Sequence, residues 1–221
     1  MRNGLFLFGA LLSVLLLNSC GHRQDLDSKN GFAVLPIAKP GEAVATFAGG
    51  CFWATQECMM QLKGVKTVVS GYAGGTKVNP TYEEVLTRRT GHAESVQVYY
   101  SPTQISFEDL TTAFFNSHDP TQIDRQGPDV GSDYRSIAFY RNSEERVIIL
   151  KIMNQIDSAG TYTEPVATEL TPFTVFYPAE TEHQDYYQRN KLDPYIRKVS
   201  KPKVLKLRKA MPNLIKQEYV N

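Results

Sequence analysis

An apolar, strand-like run over Ala43–Ala48 passes directly into Gly49-Gly50 and, after Cys51, into a helical pattern over Phe52–Leu62. Lys63-Gly64 stops that helix, and Val65–Gly71 is β-branched and strand-like. A strand, a helix and a strand this close together need a sheet with a helix laid on it. The alternation continues. Tyr82–Thr87 reads as a short helix. Val96, Val98 and Tyr100 alternate with polar neighbours, as in a half-exposed strand. Phe107, Leu110, Phe114 and Phe115 recur at helical spacing behind Ser106, a good N-cap. Ser136–Tyr140 is another strand, and Ser143 caps a helix with Val147, Ile148, Leu150 and Ile152 on its apolar face. Phe173–Phe176 reads as a short strand and Glu180–Arg189 as a helix. The expected fold class is α+β, a two-layer α/β sandwich. Few strands and long loops argue against a doubly wound sheet. Gly74–Thr81 and Asp119–Asp133 are the loops where a site would be built.

The chain has 221 residues, enough for one domain with additions at its ends. A net charge of +1 gives no bulk reason to bind nucleic acid. Residues 1–20 read as a leader: Met1-Arg2 is a minimal basic start, and Leu5–Leu17 is an apolar run too short to span a membrane. Leu17-Asn18-Ser19-Cys20 then resembles a bacterial lipoprotein signal. That resemblance implies cleavage before Cys20, acylation of its sulfur, and a lipid-anchored protein of the cell envelope facing the periplasm or the outside. The other reading is an ordinary secretory peptide; the chain is exported in both. Residues 21–42, polar and carrying Pro36 and Pro40, read as a tether. Residues 43–195 form the folded domain. Residues 196–221 hold eight basic side chains against Glu218 and read as a solvated tail.

Three cysteines are present. With Cys20 in the leader, Cys51 and Cys58 remain, too few for a disulfide framework. Cys51 lies at a helix start, where unpaired N–H groups and the helix dipole favour a thiolate. By itself Gly-Gly-Cys fits a strand-to-helix turn with a buried small residue equally well. Phe52-Trp53, with the chain's one tryptophan, could form an apolar cup for a thioether-like group, or simply pack a helix end.

Gly49-Gly50-Cys51-Phe52-Trp53 also resembles the signature of the A-type methionine sulfoxide reductases. Ser70-Gly71-Tyr72-Ala73-Gly74-Gly75, Asn79-Pro80-Thr81-Tyr82-Glu83-Glu84-Val85 and Gly91-His92-Ala93-Glu94-Ser95 follow in family order. His118-Asp119-Pro120-Thr121-Gln122, Gly127–Ser136 and Ala179-Glu180 with His183–Tyr187 complete the set, so the resemblance runs from Thr46 to about Asn190. It implies a ferredoxin-like core with a mixed sheet and reduction of methionine S-sulfoxide, free or in oxidised proteins and peptides. It further implies a monomer with no cofactor and no metal. Cys51 would attack the sulfoxide sulfur and become a sulfenic acid. Glu94 would protonate the oxygen, Tyr82 and Tyr134 would donate hydrogen bonds to it, and Asp129 would order the site. Phe52 and Trp53 would hold the ε-methyl group. His183 would lie near the site, in packing or capping. A cysteine-based thiol peroxidase is the alternative activity.

Many members of this family carry resolving cysteines in a Gly-rich tail, and here none follows Cys58. Cys58 is seven residues along the helix from Cys51, about 10 Å of rise at 1.5 Å per residue. A disulfide needs Cα atoms within roughly 7 Å. The expectation is a one-cysteine enzyme reduced by an external thiol, such as a thioredoxin-like protein.

Overall fold

The computed structural model describes residues 24–220. The expected leader, with Cys20, lies outside the described residues. Six strands form one sheet: β1 (Ala43–Gly49), β2 (Val65–Ala73), β3 (Ala93–Tyr100), β4 (Ser136–Tyr140), β5 (Glu169–Pro172) and β6 (Phe176–Pro178). The helices are α1 (Phe52–Met60), α2 (Tyr82–Leu86), α3 (Phe107–Ser117), α4 (Ser143–Ser158), α5 (Tyr186–Arg189) and α6 (Lys201–Ala210).

The sheet order is β6-β2-β3-β1-β4-β5. Neighbours are antiparallel except β4 and β5, which run parallel. Its inner part, β4-β1-β3-β2, with α1 between β1 and β2 and α3 between β3 and β4, is the expected ferredoxin-like core. The sheet is mixed and the class is α+β. Local chemistry starts the helices where the sequence places them. Ser106 Oγ accepts from the Asp109 N–H at 3.0 Å at the head of α3. Thr81 and Glu84 form a reciprocal capping box at the head of α2. At α4 the cap is Asn142, one residue before the expected Ser143, because its Oδ1 accepts from the Glu145 N–H at 2.9 Å. The buried face of α4 is Ile149 and Ile152, whereas Val147 is exposed.

Val96, Val98 and Tyr100 of β3 face a core shared with α1, α3 and α6. Ala93 and Tyr99 point the other way, into a second core with Ala48, Val69, Ile137 and Phe176. β3 is therefore buried on both faces and is not half-exposed. What covers the second face is the stretch expected to be a tether. Ala33 is buried there, with Leu26, Leu35 and Ala38 against it. Ser28–Lys29 and Phe32–Ala33 form a small antiparallel ribbon. Gln24 is clamped at its start: its side chain bonds both the N–H and the carbonyl of Val68, at 2.7 and 2.8 Å. Its Nε2 and backbone N–H each donate to the Asp185 carboxylate at 2.8 Å.

The basic C-terminal stretch is also part of the fold. Val204 and Leu207 of α6, then Ile215 and Tyr219, are buried in the first core. Its lysines do specific work on the backbone. Lys206 Nζ donates to the carbonyl of His118, just past α3, at 2.9 Å. Lys216 Nζ donates to the carbonyl of Met60, at the end of α1, at 2.7 Å. Helix C-termini present unpaired carbonyls and negative dipole ends, which cations satisfy. The charge run thus caps other helices. The expected Glu180–Arg189 helix is divided into a 3₁₀ turn, Thr181–His183, and α5. Asp185 breaks it by taking a left-handed conformation, φ 51°. The expected Phe173–Phe176 strand is mostly a connection between β5 and β6, which lie on opposite edges of the sheet.

Candidate active site

β1 delivers Gly49, Gly50 and Cys51 to the head of α1. Gly50 adopts φ +82°, and a Cβ there would lie 2.5 Å from that of Gln126, so both backbone and space require glycine. Gln126 is held over it by the loop: its amide accepts from the Asp119 N–H at 3.1 Å and donates to the Asp119 carbonyl at 2.8 Å. His118, buried beneath Gly49, bonds the Phe114 carbonyl and Ser136 Oγ, each at 2.8 Å. Burial lowers its pKa to about 3, so it is a neutral structural group.

Cys51 is the N-cap of α1 and only 5% exposed. Its position at a helix start predicts an acidic thiol. In the resting fold, burial first and the Glu94 charge second push the thiol up instead. A hydrogen bond with the Tyr195 hydroxyl, the backbone of Trp53 and the charge of Lys203 work in the opposite direction. Desolvation outweighs them because the sulfur is enclosed.

Glu94 stands on the helix-facing side of β3, 1% exposed. Its Oε2 accepts from the Phe52 N–H, one residue beyond Cys51, at 2.9 Å. Burial, with Asp133 and Asp129 adding to it, raises its pKa to about 8 against the opposing pull of that hydrogen bond and Lys203. The group is a protonated acid at neutral pH.

Aromatic rings build the rest. Phe52 lies 6.3 Å from Tyr82 and 6.4 Å from Trp53 between ring centroids. Trp53 stacks on Tyr186 at 3.8 Å and meets Tyr195 edge-on at 5.7 Å. His183 packs 4.3 Å from Tyr82 and 5.3 Å from Phe52, with burial lowering its pKa. It is a packing group in the aromatic wall. Tyr82 is anchored through its backbone N–H, which donates to Glu180 Oε1 at 2.9 Å. Glu180 Oε2 accepts from the Tyr72 hydroxyl at 2.8 Å. Tyr82 and Tyr134 both pack against the core cluster that holds Cys51 and Phe52, and burial raises both phenols, with the charges of Glu94 and Cys51 adding to it. Tyr134 closes a 3₁₀ turn, Ser132–Tyr134, that Arg88 pins through a 3.1 Å ion pair with Asp133.

The structure thus gathers Cys51, Phe52, Trp53, Tyr82, Glu94 and Tyr134 into one cluster. Asp129 joins them indirectly: its Oδ2 accepts from the Tyr195 hydroxyl at 2.6 Å. Sequence reasoning missed Tyr195 and Glu180 as site residues. Tyr195 follows Asp193-Pro194 with no periodic pattern around it, so only the tertiary fold reveals it. Glu180 stood in a recognisable block, but nothing local shows that it ties α2 to β2.

Comparison with known proteins agrees with this geometry. A family model described as peptide methionine sulfoxide reductase matches residues 43–214. The peptide methionine sulfoxide reductase MsrA of Thermus thermophilus is 49% identical over 175 residues, covering 79% of this chain and 98% of that protein. A Rhodopirellula baltica relative, MsrA 1, is 47% identical over 178 residues, covering 80% and 92%. Among solved structures, methionine sulfoxide reductase A of Corynebacterium diphtheriae superposes with a TM-score of 0.63 at 35% identity, covering 70% of this chain and 78% of its own. Reduced Mxr1 from Saccharomyces cerevisiae gives 0.66 at 31%, covering 71% and 91%. With a match across most of its length and a residue cluster assembled from the matching blocks, the chain belongs to the peptide methionine sulfoxide reductase family.

Proposed function

We propose that this protein reduces methionine S-sulfoxide, free or peptide-bound, to methionine, with Cys51 as nucleophile and Glu94 as general acid. The observation that carries the reading is the pairing of these two groups. A buried carboxyl, protonated near neutral pH, is bonded to the backbone N–H of the residue beside a buried thiol. The Cys51 thiolate attacks the sulfoxide sulfur. Glu94 transfers its proton to the sulfoxide oxygen, whose developing charge Tyr82 and Tyr134 stabilise as hydrogen-bond donors. The oxygen passes to Cys51, the substrate sulfur leaves reduced as methionine, and Cys51 becomes a sulfenic acid. Phe52 and Trp53 receive the ε-methyl group. Asp129 orders the site by fixing Tyr195 against Cys51.

A thioredoxin-like dithiol then returns the enzyme to its thiol form. It is oxidised to a disulfide, and the sulfenic oxygen departs as water. Cys58 does not resolve the intermediate. It lies within the same helix, and burial pushes its thiol up to about 12, so it is an inert packing group. One equivalent of sulfoxide, without reductant, is expected to leave a sulfenic acid on Cys51 that a dimedone-type probe traps, seen by peptide mass spectrometry. A Cys51–Cys58 disulfide in its place would sink the one-cysteine scheme. Turnover of peroxide but not of either sulfoxide diastereomer would favour the peroxidase reading.

The leader-like sequence supports export and lipid anchoring at Cys20, and the enzyme then acts as a monomer on oxidised proteins of the cell envelope. The Cys20→Ala variant is expected to move from the membrane fraction to the soluble fraction on cell fractionation and to lose palmitate labelling. Unchanged labelling would overturn the anchor.

A further inference from the structure

The catalytic scheme leaves one charged group at the site without a task. Lys203 lies on α6, the helix from the stretch whose basic composition suggested a solvated tail. Its ammonium nitrogen is shielded from solvent and has no hydrogen-bond acceptor among the described residues. It sits over the turn that presents the nucleophile: a Cβ on Gly50 would lie 3.4 Å from Lys203 Nζ. A buried ammonium without an acceptor is costly, and folded proteins retain few of them. Two other basic residues of α6 are differently occupied. Lys206 bonds the His118 carbonyl and Arg208 bonds Gln61 Oε1.

We propose that Lys203 is the counter-charge of Cys51: its buried ammonium, delivered by α6, stabilises the thiolate that attacks the sulfoxide. This rests on Cys51 being the nucleophile. The surroundings leave the task to few groups. Glu94 from β3 opposes a thiolate. Tyr82 from α2, Tyr186 from α5, and Tyr134 and Tyr195 from the loops are neutral phenols, raised above their ordinary range. Asp129 brings negative charge and is engaged by Tyr195. His118, beyond the end of α3, is neutral through burial, and Lys203 itself helps to keep it so. Cys58 on α1 is a neutral thiol. Lys203 also holds Cys51 and Glu94 below the values that burial alone would give. α6 thus brings a cation over the turn that carries the attacking sulfur. Lys203 acts through Cys51 and is a positioning residue.

The test is iodoacetamide alkylation of Cys51 in the full-length protein, followed by peptide mass spectrometry across a range of pH. Lys203→Met keeps the aliphatic stem and removes the charge. A ten- to hundredfold loss of thiolate, partly offset by the stronger nucleophilicity of a more basic thiolate, gives a net slowing of about three- to tenfold. Lys203→Arg is expected to restore most of the rate. Cys58 serves as the folding control, because it reacts only if the protein opens; should Met open the fold, Lys203→Gln replaces it. Alkylation of Cys51 as fast in the neutral variant as in the parent overturns the proposal. So does an Arg variant as slow as the Met variant, which would show that shape and not charge matters. Alkylation reads the thiolate without sulfoxide, so a Cys51→Ser enzyme that retained activity would remove the functional reading and leave this coupling measurable.

Discussion

Cys51→Ser is expected to reduce the rate of sulfoxide reduction by roughly 10⁴-fold or more, to the level of the uncatalysed background. The reason is chemical as well as kinetic. A serine alkoxide could approach the sulfoxide, but it cannot accept the oxygen atom, since the product would be a hydroperoxide with a weak O–O bond. Thiolate sulfur can supply the two electrons and end as a sulfenic acid. The fold should be unaffected, because the side chain is small, buried and makes its cap through its backbone carbonyl. Trp53, the chain's one tryptophan, follows Cys51 and Phe52 in the wall proposed to receive the ε-methyl group, so its fluorescence is expected to report binding. The serine variant should therefore still change its tryptophan fluorescence when methionine sulfoxide is added, with no product formed. A variant that reduces sulfoxide at the parent rate would show that the nucleophile lies elsewhere.

Glu94→Gln should cost about 10²- to 10⁴-fold at neutral pH, the usual contribution of a positioned general acid. Its pH profile is the sharper test. The acid has a pKa of about 8, and the thiol lies higher, pushed up by burial and by Glu94 itself. The reactive form needs thiolate and carboxyl together. That form is the minor arrangement of the singly ionised pair, and its share of that state does not depend on pH. In the parent, kcat/KM should rise with pH until about 8 and then level off. Without the carboxyl only the thiol titrates, so the variant's rate should keep rising about tenfold per pH unit beyond that point, up to the thiol's own pKa. A parent profile that falls as pH rises through 8 would mean that the thiol ionises before the acid, reversing the order of the two groups.

The pattern of apolar residues exposed much of the architecture. β1, α1, β2, α3 and β4 all lie where the apolar patterns and turn residues put them, and Ser106 adds a local cap at α3. Three of the departures share one cause. Polar residues are ambiguous in sequence, since the same side chain can face water or satisfy a buried backbone group. Ser95 and Gln97 read as the wet side of β3, yet both are buried. Lys206 and Lys216 read as solvated charges, yet they cap α3 and α1. The site followed the same division. Cys51, Phe52 and Trp53 are adjacent in sequence, and family resemblance added Tyr82, Glu94, Asp129 and Tyr134. Tyr195 and Lys203 reach the cluster only through the docking of the C-terminal elements. The thiol's direction of shift was also hidden: helix position is legible in sequence, but the depth of burial that overrides it is not.

The clamp at Gln24 has a consequence for where such an enzyme could work. Because Gln24 is fastened to β2 and Asp185, only four peptide steps separate Cys20 from the folded body, a reach of at most about 14 Å. With a lipid on Cys20, the protein would be moored against the bilayer and not held out on a long leash. Asp185, which holds Gln24, immediately precedes Tyr186, the ring stacked on Trp53. Such an enzyme would patrol a thin shell of space above the lipid headgroups, and the distance of an oxidised methionine from the membrane would help decide whether it is repaired.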